Sequence, residues 1–467
     1  MYKKLIFLIF LFLIFTLLII SNFSRLKDLL DSQQKHWLKT NFFPYKYIND
    51  LEEDIFDLNN QIKVENNRFN NLLDVKLRQD LISKELLQKE NLNDIIFSNI
   101  EKVILNDKSN QLTLLKYKNK GQITYGINNT FPGSGYIEIY KNKIWLLSSR
   151  GIIGFENLNE KKIVFKQIEN NLDSFLSFKE FNKSNWFSFK DLMITDEKIF
   201  VSFTEEISEN CWNTSIVYGD LNYSFINFEY LFKANECVST IDNLDNEFNA
   251  HQSGGRIINI DNNEILFSIG DYRSRYLAQN KDSVNGKIIK INLIDKSFEI
   301  VSMGHRNPQG LYYDKENNFI LETEHGPSGG DEINIIFLNN DKIPNYGWPI
   351  ASYGEHYGGR KPSNDSKYKK YPLYKSHKDY GFIEPIKHLH IGISEITKIN
   401  DKIYVASSLG QQMLLIFNIN ENNSIKIIDN VKVYERVRDI KFYNSKLYLF
   451  LEDSPGIGVI NFIDYKL

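Results

Sequence analysis

Cysteine is almost missing from this chain of 467 residues: there are two, Cys211 and Cys237, with no CxxC pair and no Cys/His cluster. That excludes a zinc-stapled scaffold. In an oxidising compartment the two read as one local disulfide; the alternative is a pair of buried thiols. An excess of one charge is missing too, with 56 Lys and Arg against 59 Asp and Glu and a net charge of −3. No basic stripe with interleaved aromatics occurs, so nothing argues for nucleic acid. Long apolar runs are absent except for Leu5 to Ile20, where Thr16 is the only polar residue and Lys3 and Lys4 stand in front. Residues 1–24 therefore read as a signal peptide or a short transmembrane anchor. Ile20-Ser21-Asn22-Phe23-Ser24 lacks a small-x-small cleavage site, which favours the anchor. The positive-inside tendency then puts the rest outside the cytoplasm, on the periplasmic side in a bacterium, or secreted if the segment is cut. Proline is nearly absent from residues 25–107, where Pro44 stands alone, and apolar residues such as Leu51, Ile55, Leu58 and Ile62 fall at helical spacing. That stretch reads as a helical stalk or a polar spacer.

What is present is a repeat. Six times between residues 136 and 453 an apolar segment, a turn of Asn, Asp, Glu, Ser or Lys, and a second apolar segment follow one another, starting at Tyr136, Asp191, Arg256, Leu311, Glu395 and Asp439. Strand-like patterning on both sides of a tight turn makes each copy an antiparallel hairpin. The spacing leaves room for a second hairpin between copies, as a four-stranded blade needs. The expectation is an all-β, six-bladed β-propeller over residues 108–467. In that fold, residues just before each first strand and just after each second strand gather at one mouth. The chemically unusual residues of this chain stand at those places: NAHQSGG from Asn249, GHRNPQG from Gly304, YERVR from Tyr434, GDYRSR from Gly270 and EHGPSGGDE from Glu324.

Taken unaided, His251 suits a general base near neutral pH, and Asp271 on the partner strand could orient it. The plain alternative is a histidine satisfied by backbone beside Gly254 and Gly255. Arg306 offers a planar charged fork, with Asn307 and Gln309 adding hydrogen-bonding groups, or the three form a loop network between blades. Gly326, Gly329, Gly330, Asp331 and Glu332 are either turn chemistry or the materials of a Ca²⁺ site. Arg436 and Arg438 share one face of a strand entrance and suit a carboxylate ligand, or pair with Glu435 and Asp439.

The stretches from Gly304 to Ile336 and from Asn345 to Gly359 resemble the soluble quinoprotein glucose/sorbosone dehydrogenase family, and the likeness extends from about Asp191 to the C-terminus. The resemblance implies a propeller that oxidises an aldose sugar with pyrroloquinoline quinone (PQQ) and Ca²⁺ and hands the electrons to a further acceptor. It implies that His251 abstracts the proton, supported by Asp271, with Arg306 beside the reduced quinone. It places Asn307, Gln309, Arg436 and Arg438 with Arg306 around the cofactor and the carbonyls of Gly326 and Pro327 around Ca²⁺; His325 is a further candidate for the cofactor and Asp331 for the metal. The chain also departs from the family: Trp186-Phe187-Ser188-Phe189-Lys190 replaces a Gln-Gly-Gly-Leu-Leu segment, Ala250 an acidic residue, the region of Gly410 a lysine and that of Leu389 an aromatic. A propeller that binds a glycan or protein at the same mouth without catalysis is the alternative.

Overall fold

In the computed structural model the described residues are 82–106, 111–123, 135–158, 162–338, 342–357 and 366–462, with isolated positions 34, 37, 58 and 80. The chain divides into two units, Met1–Lys76 and Leu77–Leu467, and every described strand belongs to the second. The expected anchor over residues 1–24 lies outside the described residues, as does most of the stalk. Among the described residues no helix is long and apolar enough to cross a membrane.

All six hairpins form: Gly135–Tyr140 with Lys143–Ser148, Phe189–Thr195 with Lys198–Ser208, Gly254–Asn259 with Glu264–Ile269, Pro308–Asp314 with Phe319–Glu324, Ile393–Asn400 with Ile403–Ser408, and Val437–Tyr443 with Lys446–Leu451. Three turn through consecutive left-handed residues, Lys141–Asn142, Asp196–Glu197 and Asn444–Ser445. Two positive φ values in succession give the type I′ turn, whose twist matches that of the flanking strands. Further antiparallel strands extend each hairpin outward into a blade, and the blades are numbered one to six in this order. The first strands touch in sequence around the molecule, and that of blade six meets that of blade one. The result is an all-β, propeller-like closed ring.

Closure corrects the expected start of the ring. The segment 25–107 is helical at 82–91, but Ile95–Asn106 is a strand, and with Gln111–Asn119 it forms a hairpin. Gln111–Asn119 becomes the outer strand of blade six, pairing with Gly456–Asn461, while Ile95–Phe97 pairs with blade one. N-terminal residues thus clasp the last blade to the first, joining the two into one continuous sheet. Helical spacing misled here because Ile100 and Ile104 are exposed while Ile95, Phe97 and Leu105 are fully buried, so the apolar pattern of this two-sided strand is interrupted. The helix at 82–91 packs beside blade one through buried Ile82 and Leu86, and Lys89 reaches Asp173 at 2.6 Å. In blade two Cys211 and Cys237 form the expected disulfide, with Cα atoms 5.3 Å apart.

Five of the six first strands shift register at the same level: between Phe189 and Asp191, Gly254 and Ile257, Pro308 and Gly310, Ile393 and Ile396, and Val437 and Asp439. Such a bulge leaves residues unpaired and re-aims their side chains. Arg256 lies in one of them, 3% exposed. Its Nη1 lies 2.7 Å from Asp191 of blade two and 3.2 Å from Asp439 of blade six, and its Nε donates to the Gln309 carbonyl of blade four at 3.1 Å. Glu395 of blade five lies 2.6 Å from that Nε, and the guanidinium stands 5.7 Å from the ring centroid of Tyr136 of blade one. One side chain of blade three thereby touches all five other blades. Asp191 and Asp439 also accept backbone N–H groups from the next blade, Ile257 at 2.7 Å and Ile137 at 2.8 Å.

Around this hub Arg256 and Lys441 face four carboxyl groups: the buried Asp191, Asp439 and Glu395, and the partly buried Glu138. A dry interior does not keep four carboxylates ionised against two cations. Burial pushes Glu395 up to about 8 against the opposing pull of Arg256. Its Oε2 makes no hydrogen bond although Arg256 is adjacent, consistent with a protonated group. Because the folded state binds this proton more tightly than the unfolded chain, its stabilising contribution is complete below about pH 4 and declines as pH rises toward 8. Glu395→Gln is expected to flatten the fall of thermal stability across that window, as followed by melting curves at stepped pH. An unchanged slope would show that Glu395 is ionised in the fold.

Candidate active site

The mouth is assembled from strand entrances and exits. Residues 249–252 form a turn, with the Gln252 N–H donating to the Asn249 carbonyl at 3.1 Å and His251 N–H donating to Asn249 Oδ1 at 2.8 Å. That turn is bound to the exit of the same hairpin, since Asn249 N–H donates to the Tyr272 carbonyl and Tyr272 N–H to the Gln252 carbonyl, both at 3.0 Å. Gly254 and Gly270 are needed at this crossing: a Cβ on Gly270 would lie 2.1 Å from the Gln252 carbonyl oxygen. The half-buried His251 is thereby placed in the loop that crosses Asp271.

Asp271 is fully buried. Its carboxylate accepts the Trp348 indole N–H at 2.8 Å and the Arg273 backbone N–H at 2.9 Å. With its amide turned to satisfy both ends, Gln252 donates to Asp271 at 3.1 Å and accepts from Arg306 at 2.9 Å and Arg273 at 3.1 Å. Burial raises the proton affinity of Asp271, and the charge of Arg306 works against the rise. Arg306 is itself fixed on several sides: Nη1 donates to the His325 carbonyl at 2.7 Å, and the guanidinium stands 5.5 Å from the ring of Trp348 and 5.4 Å from that of Tyr357. Its backbone N–H binds buried Glu324 at 2.6 Å. Asn307 Oδ1 accepts from Gly254 N–H at 3.1 Å and from Gln309 at 3.0 Å, so this asparagine joins blades three and four.

Opposite stand the paired arginines. Arg438 donates to Glu452 through Nη2 at 2.8 Å and to Gln309 at 3.3 Å, and Arg436 donates to the same Glu452 at 2.7 Å. The sequence suggests Glu435 or Asp439 as the pairing partner, but Glu435 binds Lys116 and Asp439 turns to Arg256. Glu452 is fully buried; burial alone would raise its carboxyl, but Arg438 and Arg436 outweigh this and hold it below the usual range. Two cations thus share one anion.

The glycine-rich loop closes the third side. His325, Gly326, Pro327 and Asp331, with Tyr357, His390 and Gly410, line a cavity of about 280 Å³. The loop folds so tightly that a Cβ on Gly326 would sit 1.6 Å from the Gly330 carbonyl oxygen. Asp331 is engaged by backbone amides, Oδ1 by Gly326 at 3.3 Å and Oδ2 by Ile391 at 3.0 Å and Gly392 at 2.6 Å, so its carboxylate fastens the loop to blade five. The Pro327 carbonyl accepts Gly330 N–H at 2.9 Å. Burial, partly opposed by Asp331 and reinforced by Arg438 and Arg306, lowers the proton affinity of the His325 imidazole, and its buried Nε2 has no hydrogen-bond partner among the described residues. This unpaired atom, the surplus of guanidinium charge and the glycine cradle fit a polar, anionic ligand at the mouth.

The residues expected at the site stand at the entrances and exits of the hairpins of blades three, four and six: His251 and Asp271 flank blade three, Arg306 to Gln309 and His325 to Asp331 flank blade four, and Arg436 and Arg438 enter blade six. Four that matter escape a reading of the sequence: Arg256, Glu452, Trp348 and Lys190. Trp348 and Arg256 lie inside stretches that carry the resemblance, but their partners come from other blades. At the Trp186 segment Trp186 packs on Phe248 at 4.7 Å and Phe187 on Trp212 at 4.4 Å between ring centroids, so the entrance of blade two is aromatic.

His251 beside Asp271, a cationic wall and a glycine-rich loop on a propeller-like ring make an arrangement suited to a small polar ligand. Residues 190–460, more than half of the chain, match the Glucose / Sorbosone dehydrogenase family, and the chain belongs to it. Aldose sugar dehydrogenase YliI of Escherichia coli (strain K12) is 31% identical over 180 residues, which cover 35% of this chain and 45% of that protein. Quinoprotein glucose dehydrogenase B of Acinetobacter calcoaceticus is 36% identical over 139 residues, 23% of this chain and 28% of that one. The chain thus spans less than half the length of these two relatives. The solved PQQ-bound aldose sugar dehydrogenase of Streptomyces coelicolor shares the fold, with a TM-score of 0.51 at 15% identity over 78% of this chain and 99% of that one.

Proposed function

We propose that this chain oxidises an aldose at its anomeric carbon to the lactone, with PQQ as the electron acceptor. The observation that carries the reading is the crossing of the His251 turn over buried Asp271, beside Arg306 and at the edge of the cationic wall. His251 takes the proton of the anomeric hydroxyl. Asp271, held by Trp348 and Arg273, balances the imidazolium that forms, which a mobile carboxylate would do less well. Bound at the mouth, PQQ would supply the two-electron acceptor for the hydride. Arg436 and Arg438 would hold its carboxylates, Arg306, Asn307, Gln309 and His325 would line it, and the carbonyls of Gly326 and Pro327 would offer oxygen to Ca²⁺. Asp331 would serve the cation chiefly by fixing that loop. The family match and the PQQ-bound structural neighbour support the cofactor. The electrons pass on to a separate acceptor. The apolar run at Leu5–Ile20 tethers the ring outside the cytoplasm, where the Cys211–Cys237 disulfide is stable.

Purified protein reconstituted with PQQ and Ca²⁺ is expected to bind the quinone and reduce an artificial dye when aldoses are added. Absence of bound PQQ at micromolar concentration would overturn the enzyme reading. It would favour a ligand-binding propeller, for which the aromatic entrance of blade two at Trp186 and Phe187 is the supporting observation.

A further inference from the structure

The entrance segment of blade two, where the resemblance shows only a loss, also holds a gain. Lys190 occupies the bulge between Phe189 and Asp191, the register position that carries Gln309 in blade four and Arg438 in blade six. Those two meet each other at 3.3 Å, so side chains at this level of different blades converge. Lys190 is 7% exposed, and its side chain has no hydrogen-bond or ion-pair partner among the described residues. Gly255 leaves it room, since a Cβ there would lie 2.6 Å from the Lys190 Cβ. Its electrostatic neighbours are Arg438, Glu452 and Arg256. Glu452, the anion among them, is already engaged by both arginines of the wall.

We propose that Lys190 is a docking cation for a carboxylate ligand in the funnel, completing with Arg436 and Arg438 a three-pronged cationic wall. This rests on the function proposed above to the extent that the carboxylate is one of PQQ's. An ammonium buried beside two guanidinium groups without a partner is a cost in the free protein, and burial followed by Arg438 lowers its proton affinity to about 7. A carboxylate arriving there removes that cost.

The test uses the full-length chain and direct PQQ binding, followed by quenching of tryptophan fluorescence, with melting temperature as a second readout. Lys190→Met is expected to weaken PQQ binding by about 10- to 100-fold, as loss of one charge-assisted hydrogen bond predicts. Lys190→Arg should stay within about threefold of the parent, since it keeps the charge. Without ligand, Lys190→Met should melt higher than the parent, because an unpaired buried charge is gone. Equal PQQ binding by parent and Lys190→Met, or a lower melting temperature of the ligand-free variant, would overturn the assignment while leaving the sugar oxidation intact. If the parent binds no PQQ, citrate decides. Stabilisation of the parent but not of Lys190→Met keeps Lys190 as a carboxylate dock without the quinone, and equal or absent stabilisation overturns it.

Discussion

Arg256→Met is expected to yield a chain that no longer keeps its six blades in one ring. The arginine is the contact shared by Asp191, Glu395, Asp439, the Gln309 carbonyl and Tyr136, and thus by every other blade. Replacing a whole buried ion network with apolar groups can be neutral, but removing one partner leaves uncompensated carboxylates and costs about 3–5 kcal/mol. Against a total stability of about 5–15 kcal/mol, that is enough to give partial unfolding or failure to accumulate as soluble protein. Thermal melting by circular dichroism reads the loss. Adding Asp191→Asn and Asp439→Asn to Arg256→Met should restore part of it, because stranded negative charge, rather than missing arginine volume, is the cause. A single variant melting within a few degrees of the parent would show that inter-blade apolar packing alone holds the ring. Lysine should rescue little, since a point charge cannot replace a planar fork that reaches several blades at once.

His251→Gln should lower the turnover of the PQQ-loaded protein by about 10²- to 10⁴-fold, the range that a positioned general base contributes. Glutamine approximates the reach of the imidazole but cannot take a proton at neutral pH. The turn at 249–252 rests on backbone groups and Asn249, so PQQ binding and melting temperature should stay near the parent values. Stopped-flow reduction of the bound quinone by sugar separates this step from the later transfer to an acceptor. Undiminished reduction in this variant would remove His251 from the role of base and point to another proton acceptor at the mouth.

The hairpin repeat was open to inspection because its cause is local. A tight turn, left-handed at two successive residues in three of the copies, and flanking strands with apolar faces are both written within about fifteen positions, and all six copies appear where the pattern puts them. The clasp of Ile95–Asn106 and Gln111–Asn119 was hidden for the opposite reason. Its partners stand in blade six and blade one, and alone it presents only an interrupted apolar pattern in a polar stretch. The positions of the site residues followed from the repeat, but their partners did not. Arg438 beside Arg436 in sequence suggests local pairing with Glu435 or Asp439. The bulge between Val437 and Asp439 instead turns Arg438 to Glu452 and Gln309, and leaves Asp439 to Arg256.

The sequence alone therefore determined the six hairpins and which residues flank each of them, since both depend on local strand patterning. Only the tertiary structure decided how charge is shared among those groups. Arg256 meets carboxylates 65 and 183 residues away, and Lys190 and Arg438 stand at register shifts that reverse strand alternation. Pairing across a closed ring is set by the geometry of closure, and that information is distributed over all six blades rather than held in any one of them.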